Sequence, residues 1–295
     1  MRVFVTGATG FIGSAIVREL HTAGHQVLGL ARSDKAAELL ARAGVEVHRG
    51  ELSDLDSLTA AARACDGVIH TAFIHDFSQY LANAEIDRKA VEAMAGALEG
   101  SNKPIVVTSG TAGHPPGRTS TEKDAPRDPA GPRAASEVAV LKTAGRGVRA
   151  SVVRLPPSVH GQGDHGFVPA LIDIARRTGI AAFVGDGANH WPAVHRLDAA
   201  RLFRLALEKA APGSTFHGVA EEGIPMRAIA ETIGQGLGLP VRGISADEAS
   251  AHFDWMARFV QLDILTSSAI TQAGLGWSPR EAGLLTDMRE SGYFS

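Results

Sequence analysis

Glycines 7, 10 and 13, in "VFVTGATGFIGSAIV", have the spacing in this chain that most plainly serves chemistry. They lie between an apolar, β-rich run and a helical pattern. Gly7 there permits a tight turn, Gly10 lets the backbone approach a pyrophosphate, and Gly13 lets the helix pack closely on the strand. The N–H groups and dipole of a helix N-terminus favour the same anion. The turn therefore points to a dinucleotide held by Gly7, Thr9, Gly10, Phe11, Ile12 and Gly13. The spacing is GxxGxxG, not GxGxxG. A reader of a ribose 2′-hydroxyl would be an acid about 20 residues further on. The next strand instead ends "GLARSD", which puts Arg32 and Ser33 at that place. A guanidinium suits a 2′-phosphate, so NADP (NADPH) is expected over NAD, unless Arg32 merely caps the strand edge.

Hydroxyls, imidazoles and carboxylates recur after the later strands. "VVTSG" offers Ser109 between Thr108 and Thr111; such a hydroxyl can hold a substrate carbonyl or simply cap a strand end. "TAFIHDFSQY" carries His75, Asp76 and Tyr80, and "PPSVHGQGDHGF" carries His160, Asp164 and His165. Histidine titrates near neutrality, so an imidazolium can protonate an alkoxide; each of these is as readily a structural or surface residue. Asp87 in "NAEIDRKAVEAM" could be a buried carboxylate that holds a water or titrates, or a surface partner of Arg88 or Lys89. The histidine spacing at 160–165 in a glycine loop is not a metal-ligand pattern, and no metal is expected.

The elements that must position these residues alternate. Strand patterns at 2–7, 25–32, 45–50, 66–72, 103–110 and 148–156 alternate with helix patterns at 13–24, 35–44, 55–65, about 80–100 and 130–145. Short connections between them imply right-handed crossovers and a parallel sheet. The fold class is α/β, a Rossmann-type doubly wound parallel sheet with a smaller, mainly C-terminal substrate lobe. Residues 1–155, with returning elements at about 193–219, form the dinucleotide-binding part; 156–192 and 220–295 form the lobe. In the lobe, helix is expected at 167–177, and the tail from about 223 reads as mostly helical. Residues 113–132 read as a polar, proline-rich surface loop. His195 is expected to hold the two lobes in register together with Asp198.

"VTGATGFIGSAIV", "ARS", "GVIHTA", "VVTSG" and "VVRLPPSVHGQGD", in this order, resemble an extended short-chain dehydrogenase/reductase, more closely the atypical NAD(P)-dependent epimerase/dehydratase-like subgroup. The resemblance covers nearly the whole chain, including "VHRLDAARLFRLAL" and "LGWSP". It implies that Glu51 and Leu52 lie near the adenine, Thr71 and Ala72 beside the nicotinamide ribose, Thr108 at the cofactor, Ser109 at the substrate, and Pro156 and Pro157 over the nicotinamide. It also implies an Asn, here Asp87, and a Tyr-x-x-x-Lys pair. That pair is missing. Arg133 and Glu137 occupy its positions, and neither Tyr80 nor Tyr293 has a lysine four residues on. Lys142 lies nine residues on, about 900° round a helix and so on the opposite face. Arginine cannot act as the acid, because it does not deprotonate in proteins. It can bind a phosphate or carboxylate, or pair with Glu137 at i, i+4 on a solvated face. The candidate catalytic residues are therefore Ser109, Asp87, Tyr80, His75 and His160.

A net charge of −3, with no Lys/Arg cluster, argues against a nucleic-acid partner. The one cysteine, Cys65, excludes an internal disulfide. No apolar run reaches the roughly 18 residues of a membrane span, and the N-terminus lacks a signal-peptide layout. A cytoplasmic protein acting on a small molecule is expected, with a homodimer implied by the resemblance. The leading expectation is an NADP-dependent oxidoreductase of a small carbonyl or alcohol. An NADP-binding regulator without catalysis comes second, and a nucleotide-sugar epimerase or dehydratase third.

Overall fold

The computed structural model describes residues 1–76, 79–112, 117–126 and 132–295. Residues 113–116 and 127–131 of the expected surface loop lie outside them. The chain begins β1 Arg2–Thr6, α1 Phe11–Thr22, β2 Gln26–Ala31, α2 Asp34–Arg42, β3 Glu46–Arg49, α3 Leu55–Ala64, β4 Gly67–His70, α4 Tyr80–Ala97, β5 Pro104–Gly110, α5 Pro132–Lys142 and β6 Arg149–Leu155. It continues β7 Ser158–His160, α6 Phe167–Thr178, β8 Ala181–Val184, β9 His190–His195, α7 Arg196–Lys209 and β10 Ser214–His217. The last elements are β11 Glu221–Pro225, α8 Met226–Leu237, β12 Val241–Ile244, α9 Ala246–Phe253, α10 Ala269–Leu275 and α11 Leu284–Glu290.

Successive side chains of β1, Val3, Phe4 and Val5, are all fully buried. A strand covered on both faces needs apolar residues at every position, which is why it reads as a continuous run. Seven strands form one parallel sheet in the order β10-β6-β5-β4-β1-β2-β3. α1, α2 and α7 cover one face through Ile16, Leu20, Leu40 and Phe203. α3, α4 and α5 cover the other through Leu58, Val91, Met94 and Val140. The strand order reverses between β1 and β4. The crevice where ligands of such sheets bind therefore opens at their carboxyl ends.

The smaller lobe has its own core, with Leu171, Trp191, Ile229, Phe253 and Met288 buried together. It differs from the sequence expectation in containing strands. β11, β9 and β7 form one small sheet, and β12 pairs with β8, Val241 opposite Ala181. These strands are short and find partners far along the chain, so no local periodicity marks them. Asp198, fully buried, ties the tail down. Its carboxylate accepts from the Arg280 and Glu281 N–H groups at 2.8 and 3.0 Å, and its carbonyl accepts from Trp277 Nε1 at 3.0 Å. His195 takes no part in this anchoring and instead caps α7 by accepting from the Leu197 N–H. Among the described residues no helix is long and apolar enough to cross a membrane.

Candidate functional site

The glycine turn joins β1 to α1. Gly7 has φ +70°, and a Cβ there would lie 2.8 Å from the Ala72 backbone N and from Thr71 Oγ1. A Cβ on Gly13 would stand 2.0 Å from the Gly7 carbonyl oxygen, so the first turn of α1 rests on the strand end. Gly10 differs: its Cβ would meet the Gly7 oxygen alone, at 3.1 Å. α1 starts there with no side-chain cap and no acid in its first turn. Helix N-terminal N–H groups left uncapped beside an open glycine suit an anion. The fit to a dinucleotide pyrophosphate is good.

At the end of β2, Arg32 is exposed and has no hydrogen bond or ion pair among the described residues. Ser33 also caps α2, its hydroxyl accepting from the Ala36 N–H at 3.2 Å. The Glu51 carboxylate is exposed and accepts from the Ser53 hydroxyl, while Leu52 packs on the sheet core. Thr71 Oγ1 donates to the Thr6 carbonyl, and the Ala72 N–H donates to Thr6 Oγ1. Thr108 Oγ1 donates to the His70 carbonyl, locking β4 to β5. Pro156 is buried and Pro157 half-buried just beyond β6. Thr9, Phe11 and Ile12 remain exposed or half-exposed on the turn.

The ends of β1 and β4 carry a buried polar chain. Thr6 Oγ1 lies 2.8 Å from His70 Nδ1, and His70 Nε2 lies 3.0 Å from Asp87 Oδ1. The other Asp87 oxygen accepts from Ser136 Oγ at 2.6 Å and from Arg133 at 3.4 Å. Thr6, His70, Asp87 and Ser136 are all nearly or fully inaccessible. Burial opposes ionisation of Asp87. The bonds from His70 and Ser136 and the Arg133 charge outweigh it and hold the carboxyl below its usual range. Asp87 is thus the buried carboxylate of the two alternatives, not a surface partner of Arg88, which pairs with Glu85 and Glu92.

Arg133 and Glu137 do not pair with each other. The Arg133 guanidinium lies 4.2 Å from the Phe73 ring centre and donates to the Thr108 carbonyl at 3.1 Å. Glu137 turns into the core and pairs with Arg154 of β6, both nearly inaccessible; Nε of Arg154 is 3.1 Å from Oε1. Arg154 also donates to the Asp124 carbonyl at 2.8 Å and approaches His217 Nε2 at 3.3 Å. A solvated i, i+4 pair was the wrong expectation because each side chain has a buried partner on another element.

Around Arg133 stand three of the candidate residues. Phe73 packs edge-on against His75 at 5.1 Å and Tyr80 at 6.0 Å. The His75 ring reaches solvent, yet the packing around it, and then the Arg133 charge, hold its pKa below the usual range. The shift favours the neutral imidazole. Burial pushes the Tyr80 phenol up, against the pull of Arg133, so Tyr80 keeps its proton. Ser109 is buried, faces Arg154 in strand register, and its hydroxyl has no hydrogen-bond partner among the described residues. The neighbouring Thr111 hydroxyl is fully buried and also unpartnered.

His160 is not brought to this cluster. It is buried in the lobe, its Nδ1 2.8 Å from Asp287 of α11 and its ring 5.3 Å from that of His195. Asp164 accepts from the Gly166 N–H and from Tyr293 Oη. His165 instead packs against Phe11 of the glycine turn, ring centres 5.7 Å apart. Sequence reading passed over Thr6, His70, Ser136 and Arg154. The available signal was Arg154: a charge inside the apolar run "SVVRLPP" requires a buried partner. His70 and Thr6 close apolar strands and give no local sign. Among the described residues no group of three or more His, Cys, Asp or Glu side chains could hold a metal.

A family model described as the NAD dependent epimerase/dehydratase family matches residues 3–217. The chain is 50% identical over 295 residues to the uncharacterized protein C2A9.02 of Schizosaccharomyces pombe, covering 100% of both. It is 31% identical over 258 residues to a 2-alkyl-3-oxoalkanoate reductase of Stenotrophomonas maltophilia, covering 81% of this chain and 77% of the relative. Its fold is similar to a UDP-glucose 4-epimerase of Thermus thermophilus solved with NAD, with a TM-score of 0.76 and 22% identity over 100% of this chain and 99% of the other.

Proposed function

The chain belongs to the NAD dependent epimerase/dehydratase family, and on that premise we propose that it is an NADP-dependent oxidoreductase of a small carbonyl compound or its alcohol. The observation that carries the reading is the Ser109 hydroxyl. The residue lies at the carboxyl end of β5, on the sheet edge that also presents the glycine turn, and its hydroxyl has no partner among the described residues. An unpaired hydroxyl at this edge can hydrogen-bond a substrate oxygen. The S. maltophilia relative, named for the reduction of a 3-oxo acid, supports the reaction class.

A bound nicotinamide would supply or accept the hydride. Gly7 to Gly13 would hold the pyrophosphate, with Arg32 and Ser33 at a 2′-phosphate. Ser109 orients the substrate oxygen, and Tyr80, protonated at neutral pH beside Phe73, holds the proton that oxygen takes. Asp87, His70 and Thr6 fix Arg133 and the ends of β1 and β4, and so act by positioning. The test is NADPH consumption across a panel of ketones and aldehydes, with Ser109→Ala beside the unaltered protein. Turnover should fall roughly 10²- to 10⁴-fold while melting temperature holds. Calorimetry should show NADPH bound more tightly than NADH, and Arg32→Asp should erase that preference. A second reading, an NADP-binding regulator, is favoured by the Glu137–Arg154 pair, which closes the lysine position of the usual catalytic set. It predicts nucleotide binding and no turnover anywhere on the panel.

A further inference from the structure

Arg133 has more hydrogen-bonding capacity than its structural contacts use. It commits two of its five N–H donors, one to Asp87 and one to the Thr108 carbonyl, so three remain. Its side chain is 26% exposed. Asp87 has two shorter contacts besides it, to His70 and Ser136 at 3.0 and 2.6 Å against 3.4 Å, and the Arg133 charge adds to them. The carboxylate is satisfied from behind, and the guanidinium is left in front with unmatched donors.

Placement narrows what could match them. The guanidinium is anchored on the carbonyl of Thr108, the residue before Ser109. Consecutive residues are 3.8 Å apart at Cα, so the planar fork and the Ser109 hydroxyl both sit at the carboxyl end of β5. In a 2- or 3-oxo acid the ketone and carboxylate oxygens stand about 3–5 Å apart by standard bond lengths. Arginine matches a carboxylate with two parallel hydrogen bonds, a geometry lysine lacks. Phe73, beneath the guanidinium and beside Tyr80, gives an apolar wall for the rest of the substrate. Arg258, exposed and without an ion pair among the described residues, adds positive charge felt at Tyr80.

We propose that the site takes a short oxo acid, with its ketone oxygen on Ser109 and its carboxylate on the Arg133 guanidinium. This rests on the carbonyl-reducing reading and narrows it to an anionic substrate. It explains why arginine, useless as a proton donor, stands where a phenol is expected: the position binds the substrate.

The test measures binding first, so that it does not depend on turnover. Benzoylformate and 3-oxobutanoate, each beside its methyl ester, are titrated into the NADP-loaded protein by calorimetry. The acids should bind about 10- to 100-fold more tightly than the esters. Arg133→Gln should reduce that ratio to within about threefold, with melting temperature and NADP affinity checked on the same sample; Arg133→Lys should keep part of it. Should Arg133→Gln fail to fold, two other arms decide. Raising salt from about 50 to 500 mM should weaken the acids and not the esters, and Arg258→Gln should weaken the acids a few-fold. Equal affinity for acid and ester, or a preference that survives Arg133→Gln, overturns the assignment. Acids that bind but do not oxidise NADPH would remove the reductase reading and leave this one. Esters reduced as fast as the acids would do the reverse.

Discussion

The glycine turn at residues 7–13 and the first turns of α5 at 133–137 are both places where a helix meets the carboxyl edge of the sheet. They are built from different material. The turn works through backbone: a positive φ at Gly7, a contact too close for any Cβ at Gly13, and uncapped N–H groups at the start of α1. α5 works through side chains that reach to α4, β5 and β6 before they find partners. A backbone device tolerates few residue types and keeps its sequence signature. A side-chain device can be rebuilt with other residues while the helix stays in place.

Substitutions can sharpen that contrast, and the largest effect belongs to α5. Glu137→Ala leaves Arg154 buried without its carboxylate, and breaking a buried pair in this way costs about 3–5 kcal/mol. Thermal or denaturant unfolding should show it; a loss under about 1 kcal/mol would mean that the Asp124 carbonyl and His217 suffice to hold Arg154. At the turn, Gly13→Ala drives a methyl into the Gly7 oxygen and should cost about 1–3 kcal/mol or more, together with nucleotide binding. Gly10→Ala, three residues away, should leave stability nearly unchanged and weaken dinucleotide binding by about tenfold, 1.4 kcal/mol. If the two glycine variants lost stability equally, the division of labour along the turn would be wrong.

A smaller effect concerns pH. The folded-state pKa of Asp87 lies below its unfolded value, near 3.9. The stability it contributes is therefore complete above about pH 4 and is lost as pH falls through the folded value. The stability difference between the unaltered protein and Asp87→Asn should stay level from about pH 5 to 8 and narrow below about 4. A difference unchanged down to about pH 3 would indicate that Asp87 is not ionised in the fold.

The same division explains how much could be read beforehand. Alternating runs such as "RVFVT" and "GSAIVRELHT" carry the parallel sheet in plain view, because both faces of each strand and one face of each helix are buried. The strands β8 and β12 could not be seen, since four-residue segments paired across the lobe leave no periodicity. Within the site, Ser109, Asp87, Tyr80 and His75 were legible as residue types at strand ends and on the following helix. Their partners were not. That His70 backs Asp87, or that Glu137 leaves Arg133 for Arg154, depends on the distance between elements and not on spacing along the chain.

The Glu137–Arg154 pair also constrains the history open to this sequence. Restoring lysine at 137 alone would set two cations face to face in a buried site. Losing Arg154 first would strand the carboxylate. Either single step passes through a destabilised protein, so exchanging this pair for another requires both positions to change together.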